Sequence, residues 1–142
     1  MRGTMLADTK ISLPWWLWAI LIILIVPLFL GPLGAITNPK LIGGPEAEAI
    51  TYAAYLYAGR NFAVGLAFLM ALWFRNAPML FILVFVRLAI DIIDLPVFLT
   101  YGLVQNIAVA AAIFGFMYVI AIVAMVHLWK RMNDSDPKSG SG

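Results

Sequence analysis

Four long apolar stretches alternate with short polar segments along this chain. They lie near residues 13–35, 46–74, 78–101 and 104–129. Each stretch reaches the length of about 20 residues that a helix needs to cross a hydrocarbon layer roughly 30 Å thick. The pattern therefore predicts an all-α, integral membrane four-helix bundle, and the short turn between the second and third helices predicts that these two are antiparallel neighbours.

The segments that flank this apolar region are polar. We predict a cytoplasmic N-terminal segment over residues 1–12, a four-helix transmembrane domain over 13–130 and a disordered C-terminal tail over 131–142. The first apolar stretch is longer than the roughly 7–15 apolar residues of a cleaved signal peptide, so we expect it to remain as a helix.

The second predicted helix carries two structural signals. Pro45 favours a helix start, which would place Glu46 and Glu48 in the first turn of that helix. Small residues further along, among them Gly59 and Gly65, predict a close approach to a neighbouring helix.

Composition supports the membrane interpretation and excludes several kinds of functional site. The chain is 64% hydrophobic and 11% charged, with a mean hydropathy of +0.99, whereas soluble domains are usually about 45–50% apolar. Cysteine is absent and histidine occurs once, which excludes disulfides, thiolate chemistry and a bis-histidine haem within one chain. We expect no metal, no cofactor and no nucleic-acid partner; the expected partners are the lipid bilayer and a lipophilic small molecule.

The distribution of basic and aromatic residues predicts the orientation. One side of the predicted membrane domain carries nearly all the Lys and Arg residues that lie outside the bilayer: Arg2, Lys10, Arg75, Lys130, Arg131 and Lys138, against Lys40 on the other side. The tryptophans fall at the same side: Trp15, Trp16, Trp18, Trp73 and Trp129. By the positive-inside rule we predict a multi-pass protein of the bacterial inner membrane with both termini in the cytoplasm.

The third apolar stretch contains an unusual ionisable stripe. Arg87, Asp91 and Asp94 stand at positions i, i+4 and i+7, so in a helix they lie within roughly 60° of one another. A charge at the membrane centre costs on the order of 3 kcal/mol on insertion scales, so such residues indicate a functional site or mutual pairing.

A counter-charge is expected from the second helix. Counted at about 1.5 Å per residue from the cytoplasmic ends, Arg60 lies about 21 Å along its helix, and Asp91 and Asp94 lie about 20 and 24 Å along theirs. Arg60 is therefore expected to meet one of these aspartates, with Arg87 bracing the same carboxylates from one turn below. Two arginines and two aspartates give the neutral set that burial requires.

Further polar side chains complete a predicted substrate-binding set: Tyr57, Asn61, Glu46, Tyr101 and Asn106. Three of them share with Arg60 a sector of roughly 100° on the second helix, and Tyr101 continues the stripe of the third. On the fourth helix, Asn106 and His127 bracket a face that we place at Ala110, Ile113, Met117 and Ala124. We expect a cavity in the non-cytoplasmic half of the membrane domain.

The region AGRNFAVGLAFLMALWFRNAPMLFILVFVRLAIDIIDLP resembles the DoxX-like group of small four-helix bacterial membrane proteins. The residues that carry the resemblance are Gly59, Arg60, Asn61, Gly65, Arg87, Asp91 and Asp94. The resemblance implies a four-helix bundle and, for some members, association with quinone-linked or redox systems. The group has no single chemistry, so the resemblance does not decide the function.

Several functions fit the pattern. The first is a membrane-embedded isomerase, epoxide-opening enzyme or cyclase that uses Asp91 and Asp94 as acid and base, tuned by Arg60 and Arg87, on a lipophilic small molecule. The second is a non-enzymatic quinone- or lipid-binding accessory subunit of a redox complex. The third is a proton-coupled transporter, which would need a homodimer because the chain has no inverted repeats. A purely structural role for the charge pairs also stays open.

Overall fold

The chain is all-helical in the part that the computed structural model describes, namely residues 12–44, 46–100 and 106–134, without the side chains of residues 42 and 43. The helices are α1 (Trp15–Thr37), α2 (Pro39–Gly43), α3 (Tyr52–Phe74), α4 (Ala77–Thr100) and α5 (Ile107–Asp134). Within these ranges α1, α3 and α5 are long and apolar enough to cross a membrane, as expected for a multi-pass membrane protein. The fourth long helix, α4, has a similar length but carries the three ionisable residues of the stripe.

The start of α3 differs from the prediction. The helix begins at Tyr52 and not near residue 46, because the Thr51 hydroxyl caps it by accepting a hydrogen bond from the Ala54 backbone N–H at 3.3 Å. Glu46 lies in a turn before the helix and Glu48 also precedes it, so their predicted place in the first turn is wrong.

The connection between α1 and α3 contains the short helix α2, which the apolar pattern did not indicate. Asn38 caps it by accepting from the Lys40 backbone N–H at 3.1 Å, and Pro39 occupies its first turn. Pro45, the expected helix start, lies outside the described residues.

The last helix is longer than predicted. It continues to Asp134, past the expected end at residue 129, so the first residues of the predicted disordered tail are helical. Arg131 lies in the last turn, where a positive charge interacts favourably with the helix dipole. The remainder of the predicted tail and nearly all of the predicted N-terminal segment lie outside the described residues.

The four long helices pack as antiparallel neighbours. α1 contacts α3 and α5, and α4 contacts α5 and α3; α3 packs mainly on α1, and α4 mainly on α5. Ring contacts give the register: Trp16 meets His127 at 4.7 Å between centroids, and Phe81 meets Trp129 at 5.7 Å. The starts of α1 and α4 therefore lie beside the end of α5.

The apolar core occupies only one half of this assembly, the half that contains the turn between α3 and α4, here named the turn half. Its largest fully buried side chains are Phe68, Leu17, Leu21, Leu24, Leu28, Leu80, Leu128 and Val84. In the opposite half, here named the polar half, the buried residues are the smaller Pro32, Ala35, Ala54, Ala58 and Ala110 together with Asn61 and Asp91. The large buried apolar side chains therefore lie in the turn half, and the ionisable groups lie in the polar half.

Two glycines of α3 have different surroundings. A Cβ on Gly65 would come within 2.8 Å of the Phe29 ring and 3.4 Å of the Leu28 Cβ on α1, so this glycine permits the predicted close approach of the two helices. A Cβ on Gly59 would meet nothing within 4 Å. The packing role predicted for Gly59 is therefore not seen among the described residues.

Candidate functional site

The ionisable stripe of α4 lies on the helix face that packs inward. Ala77, Leu80 and Val84 are the buried residues of α4 in the turn half, and Asp91, two turns beyond Val84, is buried on the same face. The stripe therefore continues the core face of α4 into the polar half. An inward position explains how charged residues are retained in a helix of this length.

An ion pair joins α3 to α4 in the polar half. The Arg60 Nη2 lies 2.7 Å from Asp94 Oδ2 and 3.0 Å from Asp94 Oδ1, which confirms that Arg60 meets an aspartate of the stripe. One guanidinium nitrogen makes both contacts, so the geometry is not the paired fork that uses two nitrogens. The Arg60 side chain is 43% exposed and that of Asp94 15%, so the pair lies at the edge of the interface.

A second ion pair lies within α4 and is more deeply buried. Arg87 Nη1 lies 2.5 Å from Asp91 Oδ1, and the two side chains are 12% and 8% exposed. Among the described residues Arg87 forms an ion pair with Asp91 and none with Asp94, so the prediction that it braces both carboxylates is wrong. Asp91 stands one turn from Arg87, within reach of its side chain, whereas Asp94 stands two turns away.

Tyr57 and Asn61 line the α3 side of this region. Asn61 is buried, and its amide donates a hydrogen bond to the Tyr57 backbone oxygen at 2.9 Å. The Tyr57 ring lies 6.0 Å from the Arg60 Cζ, and its hydroxyl would be 2.8 Å from a Cβ added at Gly31 of α1. Gly31 therefore provides the space for the Tyr57 hydroxyl.

A substitution at Gly31 tests this contact. We expect Gly31→Ala to lower the free energy of unfolding by about 1 kcal/mol, because the new methyl group overlaps the Tyr57 hydroxyl. The double variant Gly31→Ala/Tyr57→Phe removes that oxygen and should recover most of the loss. Unfolding in mixed detergent micelles, followed by far-ultraviolet circular dichroism, measures both values; equal stability of the Gly31→Ala single variant and the original protein would contradict the contact.

Tyr118 of α5 is a site residue that the sequence pattern missed. Its hydroxyl is buried and has no hydrogen-bond partner among the described residues, and it interacts electrostatically with Asp91 and Arg87. The predicted α5 face ran through Ile113, which is exposed. The buried residues of α5 are Ala110, Ala121, Ala124 and Leu128. At roughly 100° per residue Tyr118 lies about 80° from the direction of Ala110 and Leu128, so helical spacing from the buried residues does not identify it.

A second donor beside Asp91 is also unsatisfied. Arg87 Nε is buried without a hydrogen-bond partner among the described residues, although the Nη1 of the same guanidinium contacts Asp91. An unpaired buried donor costs about 1–3 kcal/mol, so two such donors in the same region need an explanation. An N–H and an O–H of this kind can both donate to an acceptor oxygen, such as that of a carbonyl group.

The remaining predicted site residues lie elsewhere. Asn106 caps α5, and its amide oxygen accepts from the backbone N–H groups of Ala108 at 3.0 Å and Val109 at 3.2 Å. Glu46 is exposed in the turn before α3. Tyr101 lies outside the described residues. The structure thus gathers Arg60, Asp94, Arg87, Asp91, Tyr57 and Asn61 in the polar half.

Two apolar grooves are described, and both lie in the turn half. The α4–α5 groove, of about 350 Å³, is lined by Phe81, Phe85, Leu88, Ile122, Met125, Val126, Trp129 and Lys130. The α3–α4 groove, of about 250 Å³, is lined by Ala67, Met70, Met79, Ile82 and Leu83. None of the four paired charges lines either groove, so the predicted cavity beside them stays a prediction. No cluster of three His, Asp or Glu residues that could hold a metal occurs in the described ranges.

The chain has no match among known proteins in three comparisons. No protein-family model, no curated protein and no solved structure is similar to it at a significant level. The DoxX-like resemblance therefore rests on the short motif of α3 and α4 and stays a prediction.

Proposed function

We propose that this protein is a four-helix bundle of the bacterial inner membrane, with both termini in the cytoplasm, that binds the oxygen-bearing head of a lipophilic small molecule. The observation that carries the proposal is a set of two buried donors without a described partner: Arg87 Nε, whose guanidinium is paired with Asp91, and Tyr118 Oη, which interacts electrostatically with both residues. The DoxX-like resemblance, with its link to quinones in some members, agrees with this proposal.

The chemistry of the two donors defines the ligand head. Inside a membrane no bulk water satisfies a buried N–H or O–H group, so a ligand oxygen that accepts from both would remove two unsatisfied groups at once. Asp91 already has a counter-charge in Arg87, so the ligand need not be charged. A neutral carbonyl compound with an apolar tail, such as a quinone, meets these requirements.

In this proposal the ligand reaches the head site between α3 and α4. The Arg60–Asp94 ion pair joins these two helices, and their contact is less extensive than the contact that each makes with its main partner. Arg60 is partly exposed at the edge of the contact between α3 and α4, so breaking its ion pair with Asp94 would open the polar half toward the lipid. In this proposal the ligand enters laterally, and the ion pair closes behind its head.

The proposal is tested with a quinone that carries a short alkyl tail, titrated into the protein in lipid nanodiscs. Tyr118→Phe removes one donor and should weaken binding about tenfold, since a hydrogen bond contributes about 1–1.5 kcal/mol. The folded state should be no less stable, because the lost hydroxyl has no described partner. Tyr52→Phe, at an exposed tyrosine of α3, is the matched control and should bind as the original protein does. Equal affinity of the two variants, or no saturable binding, would refute the proposal.

Acid–base catalysis is the second candidate function. Each carboxylate of the stripe forms an ion pair with one arginine. The Tyr118 hydroxyl, which interacts electrostatically with Asp91, provides a hydrogen-bond donor. In an isomerisation, Asp91 would take a proton from the carbon beside a carbonyl group and return it to another carbon, while Tyr118 would donate a hydrogen bond to the carbonyl oxygen.

Catalysis and simple binding give different results for Asp91→Asn. A base is required for exchange of the ligand's acidic carbon-bound hydrogens with deuterated water, so a catalytic Asp91 predicts that exchange stops while the ligand still binds. Mass spectrometry of the recovered ligand measures the exchange. If the original protein produces no exchange above a protein-free bilayer, the non-enzymatic binding function remains and the catalytic one is rejected.

A further inference from the structure

The α4–α5 groove has one polar end and an otherwise apolar lining. Its α5 side runs from Ile122 to Lys130, a length of about 12 Å at the helical rise, and its α4 side contains Phe85. Lys130 is the one charged residue of the lining. Trp129 stands beside it and packs against Phe81, another lining residue of the groove.

The end of the groove at Lys130 lies in an electropositive region. The described charged residues at this end of the helices are Arg75, Lys130 and Arg131, with Asp134 as the acidic one, which gives a local excess of positive charge. No carboxylate of the described residues lies within ion-pair distance of Lys130.

We propose that the α4–α5 groove binds one acyl chain of an anionic phospholipid, whose phosphate is bound by Lys130. The apolar lining suits the chain, and a lysine beside an exposed tryptophan is the combination that suits a head group at a membrane interface. The α3–α4 groove has an apolar lining without a charged residue, so it provides no preference for a charged head. This lipid site is separate from the site at Asp91 and does not depend on the proposed function.

Native mass spectrometry of the detergent-solubilised protein tests the head-group preference. With phosphatidylglycerol and phosphatidylcholine of identical acyl chains in equal amounts, we expect the original protein to retain several-fold more phosphatidylglycerol. Lys130→Gln should remove most of that preference and change phosphatidylcholine retention less, because the choline cation offsets the charge of the phosphate in that lipid. Lys40→Gln, at an exposed lysine beyond the opposite end of the long helices, is the matched control and should keep the preference. Equal retention of the two lipids by the original protein, or equal loss in both variants, would overturn the proposal.

A second pair of variants tests whether the acyl chain lies in this groove. Ile122→Trp fills the α4–α5 groove, and Ile82→Trp fills the α3–α4 groove; both isoleucines are exposed lining residues, so the core is left intact. Ile122→Trp should abolish the selective phosphatidylglycerol peak, and Ile82→Trp should retain it. Circular dichroism of both variants verifies that they are folded. Retention of the selective peak by folded Ile122→Trp, or its loss from both folded variants, would reject the groove as the site.

Discussion

Replacing Arg87 by leucine is expected to lower the free energy of unfolding by about 3–5 kcal/mol. The substitution leaves the Asp91 carboxylate buried without its counter-charge, in a part of the protein where the neighbouring long helices are apolar. That carboxylate must then stay charged in an apolar environment or take up a proton, and both outcomes cost free energy. Unfolding in mixed detergent micelles with an increasing fraction of denaturing detergent measures the loss.

Two further variants separate the lost charge from the lost packing. In Arg87→Leu/Asp91→Leu no charge is left unpaired, and the double variant should recover most of the stability, because replacing a buried ion pair with apolar residues is often neutral or stabilising. Arg87→Lys keeps the charge at a similar distance and should cost less than Arg87→Leu. If the double variant is as unstable as the single one, packing of the arginine stem, and not burial of an unpaired carboxylate, explains the loss.

Replacing Gly65 by valine is expected to lower the free energy of unfolding by about 1–3 kcal/mol. The new Cβ overlaps the Phe29 ring and contacts the Leu28 Cβ, so α1 and α3 must separate or the ring must rotate out of its contact with Phe62. These two helices form the most extensive helix contact described in the protein. Separation of the two helices would therefore weaken the packing of the whole turn half.

Gly59→Val is the matched control for Gly65→Val because it makes the same change on the same helix. A side chain at Gly59 meets open space, so we expect its effect on stability to stay within about 0.5 kcal/mol. The two variants share the change in helix propensity, and their difference reports the contact with α1 alone. Equal destabilisation of both would show that helix propensity, and not the approach of α1, sets the cost.

The helices and the main cross-helix ion pair were predictable for local reasons. A membrane-spanning helix must satisfy its backbone hydrogen bonds internally, so a long apolar stretch identifies it without knowledge of its neighbours. The short α3–α4 turn makes these helices antiparallel neighbours, and the helical rise then places Arg60 near the level of Asp91 and Asp94 without choosing between them. Predictions of this kind need only length, hydropathy and spacing.

Helix ends were predicted less well because competing polar groups decide them. The Thr51 hydroxyl starts α3 later than Pro45 indicated, and Asn106 uses its amide oxygen to cap α5. Both residues belong to the types that commonly cap helices, but spacing alone does not show which of several candidates forms the cap.

The sequence alone was sufficient to predict a helical membrane protein with a neutral set of charges on two adjoining helices, because periodicity and chain length control those features. The tertiary structure was needed to assign each arginine to one aspartate, to place the apolar core in the turn half and to identify Tyr118 as a buried donor. Those features depend on the rotation of each helix about its axis. That rotation is set by packing among α1, α3, α4 and α5, and in nearly uniformly apolar helices the sequence pattern specifies it only weakly.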